Sequence, residues 1–187
     1  MKRRIFIAVN LSEGIKKRLQ EFRDKCDYLP VRWTKEASLH LTLVFIGYVS
    51  NEQMLEACRV VREAVSETEP FFINFKRIVL APSGKPPRMI WLEGETSQNL
   101  NELKNKLEDA LLESDSGLRR KESRPMSPHI TLARIKTEQW RNLPSLPKIE
   151  ERFEAQLSVA SVEVMESDLK HDGAEYSILE SCPLGDN

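Results

Sequence analysis

A seven-residue pattern occurs twice in this chain, as Leu39-His40-Leu41-Thr42-Leu43-Val44-Phe45 and as Pro128-His129-Ile130-Thr131-Leu132-Ala133-Arg134, with the two histidines 89 positions apart. Each copy opens with the two-residue period of a β-strand, so His and Thr share one face about 6.7 Å apart while the apolar residues between them face a core. A weak internal repeat of this kind predicts two similar halves. Halves that face each other bring the two copies together.

The residue types point to a chemistry. Imidazole moves protons near neutral pH, and hydroxyls donate to phosphoryl oxygens. In-line displacement at a phosphodiester removes a proton from the entering oxygen on one side of phosphorus and delivers one to the leaving oxygen opposite, which is one histidine per side. With six threonines in 187 residues, chance puts a Thr two positions after two of three histidines at roughly 0.3%, and requiring apolar neighbours lowers it further. Two rival readings stay open: ordinary half-buried strands with a wet side, and a metal site. Zinc and iron normally take three or four ligands, and neither four-residue motif holds an Asp, Glu or Cys. No metal and no other cofactor is therefore expected.

Composition mainly excludes. A chain of 187 residues can bury a substantial core, and we expect residues 1–187 to form a single bilobal domain. Lys plus Arg number 28 against 29 Asp plus Glu, so any site for a polyanion must be local. Cys26, Cys58 and Cys182 are odd in number and lack C-x-x-C spacing, which disfavours a disulfide framework and a zinc knuckle and suits a cytoplasmic protein. The apolar run after Met-Lys-Arg-Arg ends at Asn10, too short for a signal peptide or a span, and no longer run follows, so no membrane is expected.

Periodicity predicts amphipathic helices over 12–26 and 51–66, and a third carrying Leu100, Leu103, Leu107, Leu111 and Leu112. Strands are predicted at 4–9, 31–34, 39–46, 71–80, 89–92 and 130–135. Two later alternating stretches, 153–165 and 175–179, read as a closing hairpin around Asp172-Gly173. Three helices among about eight strands, without regular β-α-β alternation, indicate an α+β fold with antiparallel sheets. Trp33 and Trp91 lie on apolar strands and read as core, while Trp140 is undetermined. Arg119, Arg120, Lys121 and Arg124 read either as a wet loop or as a patch that steers a polyanion. His171, in a turn and with no Thr partner, reads as surface.

These residues together resemble the 2′-5′ RNA ligase family, also called RNA 2′,3′-cyclic phosphodiesterases, of the two-histidine phosphoesterase superfamily. The resemblance rests on Arg4-Ile-Phe-Ile-Ala-Val9, Val31-Arg-Trp33, Leu39-His-Leu-Thr-Leu43, Phe45-Ile-Gly47, Pro87-Arg-Met-Ile-Trp91-Leu92 and Pro128-His-Ile-Thr-Leu-Ala-Arg134. It extends to Ser167, Gly173 and Tyr176 near the C-terminus. It implies two pseudo-symmetric lobes of antiparallel sheet with helices outside and an active-site cleft between them. It also implies hydrolysis of an RNA 2′,3′-cyclic phosphate end to a 2′-phosphomonoester, with His40 as proton donor and His129 as proton acceptor. Thr42 and Thr131 would hold the non-bridging oxygens, Phe45 would stack on the terminal base, and Arg134 would neutralise the phosphate. Phe45 and Arg134 lie five residues after their histidines, an odd offset that points to the wrong face of a regular strand, so a bulge or strand end must intervene.

The partner so implied is RNA with a 2′,3′-cyclic phosphate end, tRNA fragments included, met by a monomer. With a 5′-hydroxyl end as nucleophile the same chemistry makes a 2′-5′ linkage. The alternatives are a phosphodiesterase for small cyclic nucleotides or 2′-5′ oligoadenylates, and a non-catalytic RNA-end binder. The last would need a lost catalytic group, and both motifs are intact.

Overall fold

Apolar alternation and helical stripes resolve, in a computed structural model describing residues 2–118, 121–122, 126–170 and 173–185, into strands and helices that follow one another closely. The order is β1 (Arg3–Asn10), α1 (Glu13–Lys25), β2 (Val31–Trp33), β3 (His40–Val49), α2 (Asn51–Val65), β4 (Phe71–Ala81), β5 (Met89–Gly94), α3 (Gln98–Leu112), β6 (His129–Ile135), α4 (Thr137–Arg141), β7 (Glu150–Val159), β8 (Ser161–Lys170) and β9 (Gly173–Pro183). They build two antiparallel sheets, one ordered β3-β1-β8-β9 and the other β2-β6-β5-β4-β7. The fold is α+β, as the pattern of elements predicts.

Local chemistry starts the helices. α2 opens on a capping box, in which the Ser50 side chain accepts from the Gln53 N–H and the Gln53 side chain accepts from the Ser50 N–H. Ser97 caps α3 by accepting from the Leu100 N–H. α1 buries Ile15, Leu19 and Phe22, the stripe its periodicity marks. It docks on β7, where the Arg18 guanidinium lies 4.2 Å from the centre of the Phe153 ring and donates to the Glu154 carbonyl at 2.8 Å. α2 packs on β1, β8 and β9, and α3 packs on α2 and β3.

β1 shows how the four-stranded sheet faces two ways. Ile5, Ile7 and Val9 enter the main core, which draws residues from both sheets. Phe6 and Ala8 point to the other face, where with Met165 they form a small second cluster packed by Tyr176. That second face carries part of the functional cleft.

Three expectations need correction. Residues 153–165 are not one strand of a hairpin: the chain changes sheets at Ala160, so that β7 pairs with β4 and β8 pairs with β1 and β9. The signal was a phase flip in the residues that enter the main core, from Phe153, Leu157 and Val159 at odd positions to Val162 and Val164 at even ones, while β8 buries Met165 on its other face. α4 escapes periodicity because five residues hold little more than one turn, yet it buries Trp140. Trp33 is half-buried against the main core, as expected in part, whereas Trp91 is half-buried on the cleft side beside His129.

Candidate functional site

The sequence repeat is also a repeat of burial. Across His40–Ile46 of β3 and His129–Ile135 of β6, the order is half-buried, buried, half-buried, buried, buried, exposed, buried in both. The two adjacent buried positions mark an extra residue in each strand. Ile7 pairs with Val44 and Ala8 with Thr42, so Leu43 is skipped. Ile90 pairs with Ala133 and Trp91 with Thr131, so Leu132 is skipped. Each bulge reverses the alternation and returns Phe45 and Arg134 to the face of the histidines, which resolves the odd offset of five.

Both imidazoles are held alike. His40 Nδ1 lies 2.8 Å from the Ser38 carbonyl oxygen, and His129 Nδ1 lies 2.8 Å from the Ser127 carbonyl oxygen, in each case two residues back. A carbonyl only accepts, so Nδ1 carries the hydrogen and Nε2 is left to exchange a proton. Aromatic rings set the planes. Trp91 stacks on His129 with ring centres 3.8 Å apart, while Phe6 and Tyr176 each sit 4.9 Å from His40. Burial pushes the His40 imidazole below the usual histidine range, and the hydrogen bond to the Ser38 carbonyl pulls it partway back.

The six residues singled out in the sequence line one cleft of about 630 Å³: His40, Thr42 and Phe45 from the first sheet, His129, Thr131 and Arg134 from the second. Phe45 is 62% exposed, with its ring 5.9 Å from Phe6, so it is not a core aromatic. Arg134 is exposed. Sequence reasoning missed Trp91, Phe6 and Tyr176 as supports for the imidazoles. Trp91 could have been found only by knowing that it pairs across strands with Thr131.

Other candidate chemistry is weaker. Burial pushes the Cys58 thiol up to about 11 and the Cys182 thiol up to about 12, which leaves both protonated and poor as nucleophiles. Among the described residues no group of three or more His, Cys, Asp or Glu could hold a metal ion. No described helix is long and apolar enough to cross a membrane. Lys121 pairs with Asp109, whereas Arg119, Arg120, Arg124 and His171 lie outside the described residues.

Two proton-exchanging nitrogens, two hydroxyls and a guanidinium thus converge on one cleft, a set suited to an anionic tetrahedral centre. The family model for the 2′-5′ RNA ligase superfamily matches residues 11–171, which include both histidine strands. An RNA 2′,3′-cyclic phosphodiesterase of Thermotoga maritima is 31% identical over 192 residues, covering 96% of this chain and 94% of its own. The protein of that name from Aquifex aeolicus is 26% identical over 185 residues, covering 97% of both chains. A crystal structure of a Thermus thermophilus protein superposes with a TM-score of 0.83 at 25% identity, covering 97% of this chain and 98% of that one. E. coli LigT complexed with 3′-AMP shares the fold, with a TM-score of 0.77 at 24% identity over 98% of this chain and 99% of that one. By the family match, and by its close agreement in extent with these relatives, this chain belongs to the 2′-5′ RNA ligase superfamily.

Proposed function

We propose that the chain hydrolyses RNA 2′,3′-cyclic phosphate ends to 2′-phosphomonoesters, with His40 as proton donor and His129 as proton acceptor. The observation that carries this reading is the like anchoring of the two imidazoles, each tied through Nδ1 and each lining the same cleft from its own sheet. The relatives named RNA 2′,3′-cyclic phosphodiesterase support the substrate class. One hydrophobic core beneath both sheets supports treating residues 1–187 as a single bilobal phosphoesterase domain.

In the proposed step a water oxygen bonds to phosphorus as the bond from phosphorus to O3′ breaks. His129 Nε2 takes a proton from the water, and His40 Nε2 gives its proton to O3′. The phosphate stays on the 2′ oxygen and the 3′ position becomes a hydroxyl. Thr42 and Thr131 donate to the non-bridging oxygens, Arg134 opposes their charge, and Phe45 offers a face to the terminal base. A 5′-hydroxyl in place of water gives a 2′-5′ linkage by the same proton transfers. Water, being far more concentrated than RNA ends, favours hydrolysis.

Product analysis on a short RNA ending in a 2′,3′-cyclic phosphate, run in EDTA, tests the reading. The expected product is the 2′-phosphomonoester. A 3′-phosphate, or turnover lost in EDTA and restored by a divalent ion, would overturn it.

The lowered pKa of His40 adds a pH signature. An acid must be protonated, so kcat/KM, which reports the free protein, falls as pH rises through that lowered value. A bound phosphate anion beside the ring favours the imidazolium and raises its pKa, by about one unit or more at contact distance. The alkaline limb of kcat is therefore expected at higher pH than the alkaline limb of kcat/KM. Coincident limbs would mean that His40 does not meet the phosphate as a cation.

A further inference from the structure

Beside the catalytic cleft lies a second chamber of about 430 Å³, and His40, Phe45, Arg134 and Tyr176 line both spaces. Each volume falls within the range of about 300 to 1,000 Å³ usual for small-molecule sites. A terminal nucleotide can fill the first space, leaving the second for whatever is joined to it.

The second chamber is cationic. Arg4 from β1, Arg32 from β2, Lys35 and Arg134 line it, and among the described residues no carboxylate does. Lys35 lies 3.8 Å from Glu175, whereas Arg4, Arg32 and Arg134 have no ion-pair partner among the described residues. Arg32 and Arg134 are moreover direct cross-strand partners. Like charges so placed repel each other, and an anion seated against both turns that repulsion into charge-assisted contacts.

A second, independent feature points the same way. Ser167 of β8 is only 7% exposed, its Oγ has no hydrogen-bond partner among the described residues, and it lines this chamber. A buried hydroxyl left unpaired is costly, and an acceptor brought by a ligand removes that cost. Arg4 and Ser167 come from the four-stranded sheet, and Arg32 and Arg134 from the five-stranded one. The chamber thus presents donors from both lobes.

We propose that this chamber is a second phosphate subsite, which takes the internucleotide phosphodiester next to the reacting end of an RNA strand. The proposal rests on the cyclic-phosphodiesterase reading of the adjoining cleft, and it makes the preferred substrate a polynucleotide end rather than a cyclic mononucleotide. Arg32 and Arg4 approach the phosphodiester from opposite lobes. Ser167 donates to a non-bridging oxygen, and Phe45 stands at the boundary between the two nucleotides.

The test compares kcat/KM for a nucleoside 2′,3′-cyclic phosphate with that for a dinucleotide ending in the same group. Wild type should prefer the dinucleotide by at least about tenfold, the scale of one hydrogen-bonded charge contact. A dinucleotide with a neutral methylphosphonate linkage should fall to the mononucleotide level. Arg4→Ala and Arg32→Ala should each remove about fivefold of the preference and leave the mononucleotide within about twofold. The slope of log kcat/KM against log salt for the dinucleotide should become shallower by about 0.7 if one phosphate contact is lost. Ser167→Ala should slow only the dinucleotide without lowering thermal stability, since its buried hydroxyl has no partner among the described residues. Equal wild-type rates on both substrates overturn the subsite, as does a preference kept with the neutral linkage or variants that slow both substrates alike. Turnover of neither substrate by wild type would instead refute the cyclic-phosphodiesterase reading itself.

Discussion

Alanine at His40 or at His129 is expected to lower kcat/KM for an RNA 2′,3′-cyclic phosphate end by at least about 10²-fold and as much as 10⁴-fold, the usual contribution of one general acid or base. Each ring has its Nδ1 committed to a carbonyl, so its whole chemical capacity lies at Nε2. On the proposed reading, removing one ring would leave the phosphate held by Thr42, Thr131 and Arg134 but strip one side of the displacement of its proton transfer. The loss should therefore fall mainly on kcat, and one limb of the pH profile should disappear. The double variant should lose less than the product of the two single losses, because proton transfer on one side gains little when the other side cannot follow. His171, which has no Thr two positions on, is the control, and His171→Ala should stay within about twofold. Steady-state kinetics on a single defined RNA decide the matter. If either motif histidine is dispensable, or if His171→Ala is as damaging, the paired-histidine reading fails.

What could be read in the sequence was local. His40 with Thr42, and His129 with Thr131, declare a shared face by spacing alone, and the offset to Phe45 and Arg134 demands an interruption that the bulges at Leu43 and Leu132 supply. The helical stripe of Ile15, Leu19 and Phe22 is likewise local, and α1 buries those three. The supports of the site depend instead on strand register between distant segments. Nothing near Trp91 announces that it lies against Thr131, and nothing near Arg32 announces that it opposes Arg134. Such pairings are fixed by how whole faces bury together. The change of sheet at Ala160 was hidden for another reason: no Gly or Pro punctuates it, and only the phase of the residues entering the main core shifts. Sequence spacing therefore marks residues that line the cleft, and long-range register decides which residues pack against them.

Lys104 and Glu108 illustrate the second class, and they carry the other large prediction. Four residues apart on α3, they look in sequence like an exposed ion pair of slight worth. Instead they are 7% and 3% exposed, with Lys104 Nζ 2.9 Å from Glu108 Oε1. The same oxygen accepts the Glu122 N–H at 3.2 Å, and Glu108 Oε2 is buried without a partner among the described residues. Lys104→Ala would leave a carboxylate buried and unpaired, so a loss of about 3–5 kcal/mol of folding stability is expected. Lys104→Met combined with Glu108→Leu should recover most of that loss, since an apolar pair of similar volume replaces buried charges at little or no cost. Activity need not recover with stability. The double variant still lacks the acceptor for the Glu122 N–H, Glu122 precedes His129 by seven residues, and Lys104 lines the cleft with His129. A stable but slower enzyme is therefore expected, with urea denaturation reporting the first property and kcat the second. A single variant that loses less than about 1 kcal/mol would show the pair to be as weak as a solvated one. A double variant with full kcat would show that the Glu108 tie to Glu122 has no part in positioning His129.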